Sequence, residues 1–212
     1  MRTPSDEWAE QDLQKLSAFE LDFNLLKVGD EPGVFRMSEQ KGAGFAVTRE
    51  VAGTKGPQCL KCTDKKGLPK SFYPNITVSP RMLKEGNIKF SFAAMQPAQD
   101  AVSFVVEFRG RGQGNITGPS IAVARDGNVK ANGRPVCVLK PGVWSHFEIS
   151  FALGKIRTTD YVITIRGADG DKTITLPFGG TAFDQVGWLG ITAPDNSDGC
   201  FYLDDIKFAI VL

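Results

Sequence analysis

The sequence lacks the features that mark several large protein classes. Its formal net charge is only +1, and no run of like charge is longer than Lys65-Lys66, so the basic surface of a nucleic-acid-binding protein is not indicated. The longest apolar run, FAIVL at 208–212, is far shorter than a membrane span, and the first residues contain no apolar signal segment. We therefore expect no nucleic-acid partner and no membrane insertion.

Cysteine and histidine are scarce, with four cysteines and one histidine in 212 residues. Cys59 and Cys62 form a CxxC pair, but QCLKCT has the character of a strand, in which an offset of three places the two side chains on opposite faces. No second CxxC pair or nearby histidine completes a zinc tetrahedron. We prefer buried or half-buried free thiols over a metal or redox site.

The common catalytic motifs are also missing. The chain has no GxSxG elbow, no Walker loop and no HExxH sequence. It also has no pair of acids spaced along one groove strand as in a sandwich glycoside hydrolase. A polysaccharide lyase could use His146 for proton transfer and Arg109 to neutralise a uronate, but the characteristic lyase strand motifs are absent. Catalysis therefore stays an alternative.

What the sequence does contain is alternation of apolar and polar residues. Nearly every segment after Ala18 alternates with the period of a strand, and Gly, Pro, Asn and Asp separate these segments. Asp126-Gly127 and Asn132-Gly133 are typical hairpin turns. Roughly a dozen short, evenly spaced strands indicate a closed sandwich or jelly roll. Residues 5–16 differ, because their apolar spacing fits a short helix or a frayed tail equally well.

The segment FYLDDIKFAI near the C-terminus places Asp204 in an apolar strand. Strict alternation puts Asp204 on the same face as Ile206 and Phe208, which indicates that its side chain is buried. An unpaired carboxylate is costly to bury. Asp204 should therefore contact a cation, an arginine or several backbone donors.

Five segments, LDFNLLKVGDEP, QCLKCTD, WSHFEISFALG, FDQVGWLGI and FYLDDIKF, resemble a known group of domains. They are similar to the jelly-roll domains of bacterial polysaccharide-degrading enzymes and sulfatases, the concanavalin A-like and carbohydrate-binding-module sandwiches. The similarity covers about residues 19–210. It implies an all-β jelly-roll sandwich of two antiparallel sheets over residues 19–212, after a tail or short helix at residues 1–18. It also implies an extracellular or periplasmic location.

The same resemblance implies a structural calcium ion where the first and last strands meet. Asp204 would be the late ligand, and the oxygen ligands that Ca²⁺ prefers agree with this. The sequence departs from the pattern at Asn24, where the family usually has glutamate. Asp22, Glu20 or Asp64 would then supply the missing charge. The alternative is that Asp204 only accepts hydrogen bonds from loop backbone.

A sugar-binding face is predicted from the polar positions of the longer strands, which lie opposite their apolar positions. If these strands are neighbours in one sheet, its outer face carries a mixture of aromatic, basic and acidic side chains suited to a glycan. The predicted carbohydrate-binding residues are Glu107, Arg109, Trp144, His146, Arg166 and Trp188.

Each of these side chains also has a simpler interpretation. Trp144 and Trp188 could pack as part of the core, His146 could be an ordinary exposed strand residue, and the acids and arginines could form ion pairs on a solvated sheet. We expect a non-catalytic carbohydrate-binding or accessory module that binds a polysaccharide or oligosaccharide. The alternatives are a polysaccharide lyase or glycoside hydrolase and a protein-interaction or surface-assembly module. Other domains of a longer protein are further potential partners.

Overall fold

The computed structural model describes residues 18–79, 83–112, 114–167 and 170–211, without the side chains of residues 111, 112, 114 and 115. The predicted tail or helix at residues 1–18 lies outside this part, apart from Ala18. The described chain is nearly all β-structure, with one short 3-10 turn at Gly154–Ile156. None of its described helical segments is long and apolar enough to cross a membrane.

Fifteen strands follow one another along the described chain. They are β1 (Phe19–Leu21), β2 (Arg36–Ser38), β3 (Gly44–Thr48), β4 (Cys59–Asp64), β5 (Asn75–Val78), β6 (Gly86–Met95), β7 (Phe104–Gly112), β8 (Gly114–Val123), β9 (Asn128–Ala131), β10 (Arg134–Val138), β11 (Ser145–Leu153), β12 (Asp160–Arg166), β13 (Lys172–Pro177), β14 (Trp188–Thr192) and β15 (Gly199–Val211).

The strands form two antiparallel sheets. Sheet A has the order β13-β12-β11-β6-β15-β4-β3, with β1 added beside β15. Sheet B has the order β10-β9-β8-β7-β14-β5-β2. Together the two sheets form a jelly-roll β-sandwich, so the predicted fold class is confirmed.

Phenylalanine dominates the interface between the two sheets. Phe90 of sheet A meets Phe108 of sheet B edge to face at 5.7 Å between ring centroids, and Phe104 of sheet B stacks on Phe201 of sheet A at 4.8 Å. All four rings are fully buried. Such aromatic pairs contribute beyond the area that they bury, so these contacts hold the sheets together.

The alternation predicted for the long strands is also confirmed. In β7 and β11 the inward positions are buried, while the described intervening positions, apart from Ala152, are half-buried or exposed. The turns predicted at Asp126-Gly127 and Asn132-Gly133 connect β8 to β9 and β9 to β10. Gly127 and Gly133 have φ angles of 82° and 78°, which glycine adopts without strain.

Strand β15 does not keep strict alternation. Leu203 and Ile206 both belong to the core, although Asp204 and Asp205 lie between them. Asp205 has φ = 48°, and the pairing of β15 with β6 shifts after Asp204, as in a β-bulge. The prediction that Asp204 shares a face with Ile206 is therefore wrong, because the bulge turns Asp204 toward the outer face of sheet A.

Residues 49–58, between β3 and β4, form a loop that covers part of this outer face. We call it the 49–58 loop. Beneath it lies a small second cluster in which Cys59, Met95 and Tyr202 are buried and Trp144 packs against them. The loop divides sheet A's outer face into a covered end and an open end.

Truncation of Phe147 should test the core. Phe147 is buried and stacks on Phe92 at 4.7 Å between ring centroids, so Phe147→Ala should lower the free energy of unfolding by about 3–5 kcal/mol. The neighbouring Glu148 points to the opposite face, and Glu148→Ala should change it by no more than about 0.5 kcal/mol. Urea unfolding of both variants measures this, and equal losses would contradict the assigned faces.

Candidate functional site

The six predicted sugar-binding residues do not share one face. Glu107, Arg109 and Trp188 lie on the outer face of sheet B, whereas His146 and Arg166 lie on the outer face of sheet A, as does the remaining residue, Trp144. Every side chain points outward as predicted. The prediction of a single face is nevertheless wrong, because β7 and β14 belong to one sheet and β11 and β12 to the other.

On sheet B, Trp188 and Arg109 form a stacked pair. They lie directly opposite each other on β14 and β7, and the guanidinium carbon of Arg109 is 4.4 Å from the centroid of the Trp188 ring. This distance is typical of a cation–π contact. The indole extends over Gly190, where any Cβ atom would overlap the ring, so glycine is required at this position.

Glu107 holds the same guanidinium from the side. The Nε atom of Arg109 donates to Glu107, and the Ser120 hydroxyl donates to the other carboxylate oxygen at 3.3 Å. The side chain of Arg109 is 34 % exposed and that of Glu107 16 %. Among the described residues, none accepts a hydrogen bond from the terminal nitrogens of Arg109, which leaves them free to meet a ligand.

A cleft of about 320 Å³ opens beside this pair on sheet B. Its walls combine aromatic rings, hydroxyl groups, an amide and one guanidinium. Its described lining residues are Ser38, Phe72, Tyr73, Asn75, Thr77, Arg109, Trp188 and Thr192. This composition resembles a binding site for a polar ligand with apolar faces.

The aromatic wall of this cleft comes from the loop between β4 and β5. Phe72 is 50 % exposed, and its ring meets that of Tyr73 edge to face at 5.1 Å. The Asn75 amide donates to the Phe72 carbonyl at 3.0 Å and so holds the loop against β5. Alternation missed these residues because the loop has no period; two adjacent aromatics in a turn-rich segment were the available signal.

On sheet A, a groove of about 410 Å³ lies at the open end of the outer face. His146 lies directly opposite Arg166, and Glu148, two residues along β11, lies opposite Ser91 of β6. His146 and Glu148 make no hydrogen bond or ion pair with another described side chain. The floor of this groove therefore offers polar groups without partners.

Two ion pairs form the walls of the sheet A groove. Lys55 of the 49–58 loop lies 3.0 Å from Asp205, and Lys207 lies 2.9 Å from Glu20 of β1. Trp144 is not part of this groove. Its indole nitrogen donates to the Ala52 carbonyl at 3.1 Å, so it packs beneath the 49–58 loop, in agreement with the simpler interpretation of this residue.

Asp204 is fully buried beneath the 49–58 loop. One carboxylate oxygen accepts the backbone N–H of Thr54 at 2.6 Å and lies 2.9 Å from the Thr54 hydroxyl. The other oxygen, Oδ1, is buried without a hydrogen-bond partner in the described structure. Burial is the main cause that raises the pKa of Asp204 above its ordinary value, and hydrogen bonds from Thr54 and from the backbone of Asp205 partly oppose it.

Asn24 carries a second oxygen of this kind. Its side-chain oxygen is also buried without a described partner. The 49–58 loop approaches both residues closely, because a Cβ atom at Gly53 would overlap Asp204 and one at Gly56 would overlap Asn24. Asp204 and Asn24 therefore each carry a buried oxygen without a described partner next to the 49–58 loop.

The other predicted metal ligands lie elsewhere or are solvent-exposed. Asp64 pairs with Gly199, at the far end of β4 from Cys59, and burial raises its pKa. Asp22 is exposed and accepts the Asn24 backbone N–H at 3.1 Å. Among the described residues, no three His, Cys, Asp or Glu side chains are placed to hold a metal together. Asp64 is thus too distant to share a cation with Asp204.

The four cysteines lie in the described part of the chain and are free thiols. Cys62 faces the core and Cys59 the cluster beneath the 49–58 loop, as the strand assignment predicted. Burial raises the pKa of Cys59 to about 12 and that of Cys62 well above its usual value. These two thiols are therefore unreactive at neutral pH.

Comparison with known proteins bears on the fold. No protein-family profile and no curated protein matches the chain. Among solved structures, it is similar to an endo-β-1,4-glucuronan lyase from the fungus Trichoderma reesei, with a TM-score of 0.63 and 12 % identity over 91 % of this chain and 95 % of that one.

Two further structures are similar over most of the chain. The catalytic domain of a glycoside hydrolase family 131 protein from Coprinopsis cinerea has a TM-score of 0.58 and 10 % identity, covering 88 % of this chain and 91 % of that one. An alginate lyase has a TM-score of 0.55 and 10 % identity, covering 92 % and 98 %. At such low identity, these similarities define the sandwich fold and do not transfer an activity.

Proposed function

We propose that the chain is a carbohydrate-binding β-sandwich module whose polysaccharide or oligosaccharide ligand lies in the cleft of sheet B. The observation that carries the proposal is the union of aromatic rings and planar polar groups in one cleft. Phe72 and Tyr73 offer ring faces and edges, and Arg109 offers a guanidinium held by Trp188 and Glu107. The proposed role is binding without catalysis.

The chemistry of a sugar matches such a surface. A pyranose has apolar C–H patches that pack on aromatic rings, and hydroxyls that need donors and acceptors at its rim. Thr77 and Thr192 supply hydroxyls, and Asn75 supplies an amide oxygen. The similar solved structures are independent support for a carbohydrate ligand, because they are two polysaccharide lyases and the catalytic domain of a glycoside hydrolase. An extracellular or periplasmic location remains a prediction.

A second candidate function is polysaccharide cleavage in the sheet A groove. It is favoured by the placement of His146 directly opposite Arg166, since a lyase needs a proton acceptor beside a cation that neutralises a uronate. The pairing of His146 with Arg109 suggested by the sequence is wrong, because these residues lie on opposite outer faces of the sandwich. Arg166 is the described arginine that lines the groove beside His146.

We also propose a structural calcium ion held by Asp204 and Asn24. Both residues carry a buried oxygen that lacks a partner in the described structure. A bound calcium would supply positive charge to the buried carboxylate and tie the segment that carries Asn24 to β15. Exposed Asp22, two residues before Asn24, is the closest of the predicted acids in sequence, and Asp64 has no part in the site.

Glycan binding should depend on the aromatic wall of the cleft. Phe72→Ala should weaken binding of a soluble polysaccharide about tenfold, because the contact of its half-exposed ring with the sugar is lost. Ile156→Ala is the matched control, since Ile156 is an apolar side chain of similar exposure, 54 %, that does not line the cleft. Calorimetric titration against a polysaccharide panel measures both. Absence of binding across the panel would favour the protein-interaction alternative.

Cleavage, if it occurs, should require His146. Incubation with uronate-containing polysaccharides should then release reducing ends and ultraviolet-absorbing unsaturated products, and His146→Ala should abolish both signals. Arg109→Ala should leave them unchanged, because Arg109 lies on the other sheet. If wild-type protein produces neither signal, the cleavage hypothesis fails.

Calcium should invert the pH dependence contributed by Asp204. Without calcium, the raised pKa means that the folded protein holds this proton more tightly, so the free energy of unfolding should fall as pH rises from 3.8 through the raised value. Bound calcium holds the carboxylate ionised, so saturating calcium should stabilise the protein by about 2.7 kcal/mol at a hundredfold excess over Kd, and increasingly as pH rises.

Asp204→Asn should remove both the fall in stability with rising pH in the absence of calcium and the stabilisation by calcium. Asp64→Asn is the control, because Asp64 is equally buried but lies at the other end of β4, and it should retain the response to calcium. Thermal unfolding in calcium and in EGTA across this pH range is the measurement. Identical wild-type melting in both solutions would leave Asp204 with its hydrogen bonds alone.

A further inference from the structure

We infer that the ligand of the sheet B cleft is an acidic glycan, whose carboxylate is bound by the terminal nitrogens of Arg109. This inference rests on the proposed carbohydrate-binding function and narrows it to one class of sugar. It assigns the recognition of charge to Arg109, and it assigns Trp188 and Glu107 the task of positioning Arg109.

The charge of the cleft lining favours an anionic ligand. Among the described residues that line the cleft, Arg109 alone carries a formal charge, and the others are aromatic, hydroxyl or amide groups. The nearest counter-charge, Glu107, lies beside Arg109 on the same strand and does not line the cleft. A ligand that enters the cleft therefore meets a cation and no anion, which favours a negatively charged sugar.

The orientation of the Arg109 guanidinium suits a carboxylate. Glu107 takes the Nε hydrogen of Arg109, and the guanidinium carbon stacks over the Trp188 ring at 4.4 Å. Both contacts restrict the plane of the guanidinium. Its terminal nitrogens have no acceptor among the described residues, so their N–H groups remain available as a fork that matches the two oxygens of a carboxylate.

Trp188 is placed to position Arg109. Its indole already contacts Gly190 and Arg109, so it is less available as a stacking platform than Phe72, which is half-exposed. Trp188 therefore acts on the ligand through Arg109. Loss of Trp188 should change the preference for acidic over neutral sugars more than it changes the binding of a neutral sugar.

The experiment compares each polyuronate with its carboxyl-reduced form, which keeps the same backbone and linkage but has no charge. Polygalacturonate, alginate and glucuronan serve as the acidic probes. Wild-type protein should bind at least one of them at least roughly tenfold more tightly than its reduced form, because a charge-assisted bidentate contact is lost on reduction. This preference should weaken with added salt.

Four variants locate the preference. Arg109→Gln should abolish it while neutral binding survives. Arg109→Lys should keep only part of it, because charge remains without the fork or the stacking; this variant also leaves Glu107 a cationic partner, so it guards against misfolding. Gly190→Ala should reduce it by displacing the Trp188 ring. Arg134→Gln, at an exposed arginine of β10 outside the described lining of the cleft, is the matched control and should leave the preference unchanged.

The outcomes distinguish this inference from the proposed function. Equal binding of a polyuronate and its reduced form would overturn the inference and leave carbohydrate binding intact. An unchanged preference in Arg109→Gln would also overturn it, because recognition of the carboxylate would then lie elsewhere. Absence of binding by either form of every polymer would overturn the proposed function together with the inference.

Discussion

The phenylalanine contacts between the two sheets are the interaction on which the rest of the structure depends. Rings such as Phe90 and Phe108 fill the space between the sheets, and each long strand must therefore direct every second side chain inward. The remaining side chains have only two destinations, the outer face of sheet A or that of sheet B. Packing of the core thus determines on which outer face each polar residue lies.

The bulge at Asp205 adds a local exception with large consequences. It returns Ile206 to the core while turning Asp204 outward beneath the 49–58 loop. A carboxylate on an outer face would ordinarily be hydrated, but here the loop excludes water, and burial raises its pKa. The same loop contributes Lys55 to the wall of the sheet A groove, so the loop links the Asp204 site to the groove.

The two outer faces have different chemistry. Sheet B carries aromatic rings beside a single positioned guanidinium, whereas sheet A carries a groove walled by ion pairs around His146. A sandwich fold shared with polysaccharide lyases and a glycoside hydrolase does not choose between them, since unrelated functions occupy such folds. Aromatic rings and hydrogen-bonding groups converge around Arg109 on sheet B, which is why we place the proposed glycan there.

Local pattern was sufficient for much of the fold. The outward direction of Arg109, His146 and Trp188, the two glycine turns and the choice of a closed sandwich or jelly roll all followed from period two and turn chemistry, which are properties of single strands and short connections. The sequence also indicated that Asp204 must have partners. None of these conclusions required knowledge of which strands are neighbours.

Only the tertiary structure separated Arg109 from His146, because strand order arises from contacts between segments far apart in the chain, and alternation carries no record of them. It also brought the loop residue Phe72 to the Trp188–Arg109 pair and placed the bulge after Asp204. A loop has no alternation from which the directions of its side chains can be predicted. A bulge depends on how a strand pairs with its neighbours in the sheet. Both features were settled by packing between distant segments.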